Sequence, residues 1–325
     1  MGEARFTAED LPDLESYRRE LTGYCYRMLG SIHDADDAVQ DTMVKALQHG
    51  DQMQAGASLR PWLYKIATNV CIDKLRASQR RAVPMELSEA FPPDADPGQV
   101  LPPETWVGPA LDRELLPSQS DPADRAILRE SLRLAFITIL QRLPARQRAV
   151  LVLRDVLGWR AAEVASLLDT TEVAVHSSLQ RAHATLAAAN LRRDLAREPR
   201  SADQRHIVDR YMDAFERYDI ETLVSLLHEE VGMSMPPLVM WFQGVRDVRA
   251  FHLGTGVHCK NSRLVPVEVN GSPGFAQYLA PDADGRREPW AIQVLEIDAG
   301  KIVHIHNFLD TALFPRFGLA AYLTD

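Results

Sequence analysis

RLPARQRAVLVLRDVLGWRAAEVASLLDTTEVAVHSSLQRAHATL, residues 142–186, is the stretch that decides how this chain is read. Residues 161–168 form a short amphipathic helix, and residues 169–171 a tight turn. A further helix follows, whose Val175, Leu179, Ala182 and Leu186 recur at helical spacing and mark a buried side. Two helices joined by so short a turn make a helix-turn-helix, whose second helix enters a major groove and turns its first residues toward base edges. Thr171, Glu172, Ala174, His176, Ser177, Ser178, Gln180 and Arg181 are then the surface for DNA. A helical hairpin with no nucleic-acid role shows the same periodicity, so the rest of the chain has to decide between the two.

Working outward, DADDAVQDTMVKAL (residues 34–47) places Ala35, Ala38, Val39, Thr42 and Ala46 on one helical face and leaves Asp36, Asp37, Gln40, Asp41 and Lys45 outward. That acidic stripe is a solvated face or a surface for a basic partner. Just before it, Gly30 is placed to end one helix and Ser31 to cap the next, with Asp34 three residues on. LRPWLYKIATNVCIDKLRASQRR (residues 59–81) has Pro61 in a first helical turn, and Trp62, Ile66 and Val70 facing a core. Lys65, Asn69, Lys74, Arg76, Arg80 and Arg81 project outward or follow the helix end. Cations interleaved with an amide near aromatics suit an opened nucleic-acid strand; the plain alternative is a basic helix end that offsets the helix dipole.

From residue 83 to about 125 the composition turns to Pro, Asp, Glu and Gly, as in PPDADPGQVLPPETWVGP, and the stretch reads as a linker. Trp106 and Val107 within it are either a docking point or incidental. A polar junction from Asp194 through Pro199 to Ser201 ends the second helical module. Beyond it, a helix with Ile207, Tyr211, Ala214, Phe215 and Tyr218 on one face gives way to strand-like segments near 262–269, 274–279, 289–297 and 301–308, the mark of an α+β domain.

The chain has 325 residues, enough for two or three domains, and a formal net charge of -9. Phosphate affinity comes from Lys and Arg, so an acidic protein makes DNA contacts locally or with a partner's help. Three dispersed cysteines, Cys25, Cys71 and Cys259, show no metal-ligand spacing and no secreted disulfide framework, and fit a reducing cytosol. No apolar run is long enough for a bilayer span, so a soluble cytoplasmic protein is expected.

Taken in order, the three segments resemble the sigma-70 family of bacterial transcription initiation factors, in its small extracytoplasmic-function branch. DADDAVQDT resembles the helix that grips the polymerase clamp, and WLYKIATNVCIDKLR the helix that melts and reads the minus-ten element. Residues 143–182 resemble the module that reads the minus-thirty-five element. The resemblance implies core polymerase contacts, at the beta-prime clamp and the beta flap, with clamp binding by Asp34, Asp37, Gln40 and Asp41. It implies minus-ten contacts by Lys65, Asn69, Lys74, Arg76, Arg80 and Arg81, and a recognition helix over 171–183 with Arg160 and His183 beside it. Where the family commonly places Lys and Arg, this helix has His176 and Ser178.

HIVDRYMDAFERYDIETLVSLLHEEV, MSMPP, Trp241 to Gly244 and GKIVHIHNFLD are similar to SnoaL/NTF2-like domains. The implied organisation is a region 2 module at 11–82, a linker at 83–125, a region 4 module at 126–195 and a SnoaL-like domain at 204–325. That makes two all-α sigma modules and then an α+β cone-shaped domain. It implies a transcription subunit, not an enzyme, with no cofactor and no metal, tuned in cis by its last domain without need of a separate anti-sigma factor. The fold bends its sheet around a pocket. Alternation along 301–308 puts Ile302, His304 and His306 on one face and Val303, Ile305 and Asn307 on the other, and either face is the concave one. Met235, Trp241, His304, His306 and Asp310 are the candidate pocket residues, for a small ligand or, alternatively, for acid/base chemistry of an isomerase, cyclase or hydrolase.

Overall fold

The computed structural model describes residues 11–50, 53, 58–117, 121–188 and 202–324. The polar junction expected at 194–201 lies outside the described residues, as does the expected end of the second module at 195. The chain forms two compact units, each assembled from two separated stretches: Met1–Arg81 with Asp112–Arg197, and Ala82–Leu111 with Glu198–Asp325. Helical modules followed by an α+β domain is the order expected from the sequence.

The first unit opens with α1 (Leu11–Ser16), α2 (Arg18–Leu29), α3 (Ile32–Gln48) and α4 (Leu59–Ala77). Gly30 ends α2 in the left-handed region, φ 72°, which a residue without Cβ adopts at no cost. Ser31 then caps α3, its hydroxyl accepting the Asp34 N–H at 3.3 Å. The buried side of α3 is Ile32, Ala35, Ala38, Val39, Thr42, Met43 and Ala46. Small residues there let α2 and α4 come close, and Tyr24 and Thr68 share a buried hydroxyl hydrogen bond of 2.8 Å between them. Cys25 and Cys71, distant in sequence, meet in this core as thiols; the contact with Cys71 and burial push the Cys25 thiol well up.

The second stretch adds α5 (Asp112–Leu115), α6 (Pro122–Glu130), α7 (Leu134–Arg142), α8 (Ala145–Leu151), α9 (Ala161–Leu167) and α10 (Glu172–Ala188). Helix therefore begins well inside the expected 83–125 linker. Pro122, a breaker by composition, occupies the first turn of α6, where its missing N–H costs nothing, and Asp121 caps that turn by accepting the Ala123 N–H at 2.9 Å. Leu115 and Leu116 are buried, and α5 lies so close to α2 that a Cβ on Gly23 would collide with the Leu115 carbonyl.

The two sigma-like modules share one core. The Arg27 guanidinium on α2 donates to the Ser131 hydroxyl at 2.9 Å and to the Leu128 carbonyl at 2.7 Å. Arg148 on α8 donates to the Met28 carbonyl, and to Gln141 Oε1 at 2.6 Å. Burial pushes both guanidiniums down to about 10, so at neutral pH they remain cations that rely on carbonyl and hydroxyl acceptors. The Tyr64 and Trp159 rings pack at 5.0 Å, and the Arg60 guanidinium lies over both.

The second unit contains α11 (Ala202–Glu216), α12 (Ile220–Ser225), β1 (Leu227–Ser234), β2 (Trp241–Gln243), α13 (Val245–Leu253), β3 (Arg263–Val269) and β4 (Ser272–Tyr278). It continues with β5 (Arg286–Arg287), β6 (Pro289–Asp298), β7 (Lys301–Phe308), α14 (Leu313–Arg316) and β8 (Leu323–Thr324). Six strands form one sheet in the order β2-β1-β7-β6-β4-β3, with β1 and β7 parallel and the other pairs antiparallel; β5 and β8 pair separately. One face carries Met233, Phe275, Leu295 and Ile305 and buries Tyr211 and Phe215 of α11 and Phe251 of α13.

Residues 82–111 also belong to this unit. The Phe91 N–H donates to the Trp241 carbonyl at 2.8 Å, the Leu101 N–H to the Pro237 carbonyl at 3.0 Å, and the Val239 N–H to the Gln99 carbonyl at 3.2 Å. Asn270 closes the segment at its far end: its N–H donates to the Ala110 carbonyl at 3.0 Å, and its Oδ1 accepts the Ala110 N–H at 2.9 Å. Trp106 and Val107 are buried, at 5% and 1% exposure, and the Val107 N–H donates to the Ala82 carbonyl at 3.0 Å, so the pair ties the segment's two ends to each other. The segment lacks long regular elements because its prolines forbid them, yet its backbone polar groups find partners across the domain.

Candidate functional site

The helix-turn-helix stands as expected, α9 to α10 through a turn in which Asp169 takes φ 49°. Val175 and Ala182 are buried beneath α10, and Thr171, Glu172, His176, Gln180 and Arg181 are exposed. Ala174, Ser177 and Ser178 are half-buried on its flank. Thr171 caps the helix, its hydroxyl accepting the Ala174 N–H at 3.2 Å. Two basic groups of this surface are tied to carboxylates: Arg160 to Glu163 at 2.9 Å and His183 to Asp155 at 2.5 Å. The Arg181 guanidinium donates to Ser178 Oγ at 3.2 Å. The face is thus polar and nearly balanced in charge, with little of the cationic density that phosphates attract.

The same pairing recurs on α3 and α4. Lys74 meets Asp41 at 3.5 Å, Arg76 meets Asp73 at 3.2 Å, and Lys65 reaches the helix-turn-helix turn at Asp169, 2.9 Å away. All are exposed or half-exposed pairs, worth about 0–1 kcal/mol each, so a phosphate can replace the carboxylate at small cost. Arg81 differs from the outward placement expected of it. Its side chain is 9% exposed and grips Asp34 Oδ2 at 2.5 Å through Nη2 and 3.2 Å through Nε, so the pair joins the end of α4 to the start of α3. Asp37, Gln40, Asp41, Asn69 and Arg80 are exposed.

In the second unit, strand parity divides the candidate pocket residues. A cavity of about 200 Å³ opens on the sheet face that holds Met233, Gln277, Gln293 and Asn307; of the five candidates, Met235 lines it. His304 and His306 lie on the opposite face because they alternate with Ile305 and Asn307. There they stack at 4.0 Å, and Ser234 Oγ bridges His304 Nε2 at 3.2 Å and His306 Nδ1 at 3.0 Å. A hydroxyl can donate to one ring and accept from the other, so one serine serves both. Burial pushes His306 down to about 3, and burial plus His306 push His304 well down. Trp241 is withdrawn from the cavity because its indole N–H donates to the Ser88 carbonyl of the 82–111 segment at 3.1 Å. Asp310 is exposed and accepts the Ala312 N–H at 3.0 Å in a turn. The acid/base trio His304, His306 and Asp310 therefore does not converge on the cavity.

Residues outside the five candidates line it instead: His252 on α13, Gln277 on β4, Gln293 on β6, Asn307 on the other of the two faces of β7, and Ala95 and Pro97 of the 82–111 segment. His252 had a legible signal, since it falls on the helical face of Val248 and Phe251, an apolar stripe that a histidine interrupts.

Three family models match the chain: sigma-70 region 2 at residues 14–81, sigma-70 region 4 at 133–186, and the SnoaL-like domain at 208–305. The chain is 41% identical over 314 residues to the ECF RNA polymerase sigma factor SigG of Mycobacterium tuberculosis, across 94% of this chain and 82% of the relative. It is 27% identical over 292 residues to the sigma factor SigJ of the same species, across 86% and 84%. The crystal structure of that species' extracytoplasmic function sigma factor SigJ shares the fold, with a TM-score of 0.62 at 24% identity over 95% of this chain and 100% of that one. With sigma-70 regions 2 and 4 in order, a SnoaL-like domain behind them, and near full-length similarity to SigG, this chain belongs to the extracytoplasmic-function sigma factors of RNA polymerase.

Proposed function

We propose that this sigma factor directs core polymerase to its promoter in a manner set in cis by its SnoaL-like domain. Asp37, Gln40 and Asp41 of α3 meet the polymerase clamp. Lys65, Asn69, Lys74, Arg76 and Arg80 of α4 and its end meet the minus-ten element, and α10 meets the minus-thirty-five element. Asp34 and Arg81 hold α3 to α4. The sites are cytoplasmic ones, and among the described residues no helix is long and apolar enough to cross a membrane.

Two promoter elements about 25 base pairs apart are separated by on the order of 85 Å of duplex. In the structure, α4 and the helix-turn-helix touch, through Lys65–Asp169 at 2.9 Å and Tyr64–Trp159 at 5.0 Å. The two modules therefore have to part before both elements are read, and the connector between them has to yield. The observation that carries the proposal is that this connector, residues 82–111, is part of the same compact unit as the SnoaL-like domain. A domain that holds the connector controls the separation without a separate anti-sigma factor. It acts by binding and not by catalysis, a reading supported by the dispersal of His304, His306 and Asp310.

Transcription in vitro with core polymerase tests this. The full chain is expected to direct initiation from a specific promoter, and deletion of residues 204–325 to change that output. Specific transcription without the protein would refute the sigma role; identical output from full and truncated chains would refute the control in cis.

A further inference from the structure

His252 is 4% exposed, and neither of its ring nitrogens meets a hydrogen-bond partner among the described residues. It lines the 200 Å³ cavity, and its ring packs edge-on against Phe215 at 6.1 Å and against Phe251 at 5.5 Å. A buried imidazole with both nitrogens unpartnered loses the hydration it had in the unfolded chain, a loss that a bound hydrogen-bonding molecule would recover. The two glutamines of the cavity are already tied into one chain of hydrogen bonds. Tyr211 donates its hydroxyl to Gln293 Oε1 at 3.1 Å, Gln293 Nε2 donates to Gln277 Oε1 at 2.9 Å, and Gln277 Nε2 donates to Ser262 Oγ at 3.1 Å.

The rest of the lining sets the chemistry of the occupant. Met233, Met235, Met240 and Leu238 give it an adaptable apolar wall, and none of the described lining residues is Lys, Arg, Asp or Glu. Burial pushes His252 down to about 4, which keeps the ring neutral at physiological pH, with one donor and one acceptor. Apart from the exposed imidazole of His258, the lining offers a charged ligand no basic or carboxylate side chain besides the buried His252. An apolar cavity of about 150 Å³ takes up benzene, so about 200 Å³ suits a substituted single ring or an equally compact molecule. The wall is completed by Ala95 and Pro97 of the connector, fastened nearby where Thr255 Oγ1 donates to the Pro93 carbonyl at 3.2 Å.

We propose that this cavity binds a compact, uncharged, largely apolar molecule bearing a hydroxyl group, anchored by His252 and closed over by Ala95 and Pro97 of the connector. The ligand would then touch the segment that joins the two promoter-reading modules. Its use as a signal rests on the control in cis proposed above, whereas the binding itself does not.

The test is titration of the full-length protein with para-cresol, toluene and para-toluate, followed through the NMR signals of the methionine methyl groups. Para-cresol is expected to bind saturably, about tenfold more tightly than toluene, the worth of one hydrogen bond to His252, and para-toluate not to bind. His252→Phe should lower para-cresol to the affinity of toluene and leave toluene unchanged. Should that variant fail to fold, Ala95→Trp fills the cavity from the connector side and should abolish both. Equal affinity for para-cresol and toluene, preferential binding of para-toluate, absence of any binding, or methyl shifts that survive Ala95→Trp would overturn the assignment. Transcription run in parallel separates the two claims: binding that leaves promoter output unchanged refutes the signalling role alone, and output that changes on truncation while no probe binds refutes the ligand alone.

Discussion

The two units of this sigma factor carry their candidate functional groups in opposite settings. In the sigma unit the cations proposed to meet DNA are on the surface and already neutralised, Lys65 by Asp169, Lys74 by Asp41 and Arg160 by Glu163. In the SnoaL-like unit the group that stands out is interior, a neutral His252 whose ring nitrogens meet no hydrogen-bond partner among the described residues. Exposed pairs can be exchanged for phosphate at little cost, whereas a buried vacancy waits for a specific complement. The histidines of the second unit sharpen the point. His252 and His306 are buried, His304 is half-buried, and all three are depressed, but Ser234 serves both His304 and His306, so burial by itself does not mark a binding site.

The largest test of this contrast is in the connector. Trp106→Ala removes a side chain only 5% exposed and is expected to cost about 3–5 kcal/mol, read as a lower denaturant midpoint, with an altered promoter output. Next is Arg148→Met in the sigma unit. It leaves the Met28, Gln141 and Leu143 carbonyls without their donor and should cost on the order of 3 kcal/mol in urea unfolding. If it costs nothing, interior hydrogen bonding does not hold the two modules together.

An intermediate effect is expected from pH. His252 and His306 fall from 6.5 in the unfolded chain to about 4 and about 3 when folded. As pH drops below 6.5 the unfolded chain takes up protons that the folded one refuses, so stability is full above that value and declines toward pH 4. The slope is up to about 1.4 kcal/mol per pH unit for each histidine, measurable as a falling Tm of the SnoaL-like unit between pH 7 and pH 5. His252→Phe should flatten part of it. The smallest effect belongs to Asp169→Asn, which frees Lys65 from an exposed pair. Stability should move by less than about 1 kcal/mol in denaturant, while opening of the modules becomes easier and promoter output on core polymerase rises.

Much of the architecture was legible because it depends on period. Ala35, Ala38, Val39 and Thr42 recur as a helix face must, and they are buried. Gly30 and Ser31 punctuate as their chemistry requires. Proline misled where it reads as a breaker by composition yet starts α6 at Pro122. In β7 strict alternation fails at Val303, since Ile302 pairs with Ile297 while His304 pairs with Glu296. That irregularity puts both Ile302 and Ile305 in the core, which no period-two pattern predicts. The carboxylate partners of Lys74 and Arg81 were illegible for a different reason. Each pair joins separate helices, and only the packing brings them together.

The fastening of the connector also has an order in time. Ala110 waits for Asn270, a partner 160 residues later, and Ser88 waits 151 residues for Val239. At roughly 5–20 residues per second of synthesis, the connector emerges about 8–30 seconds before its partners in the domain that fixes it. The sigma unit, whose last stretch ends at Arg197, is thus made first, and the domain that holds the connector last. A ribosome stalled within the final domain would leave a chain whose promoter-reading modules are finished and whose connector is still loose.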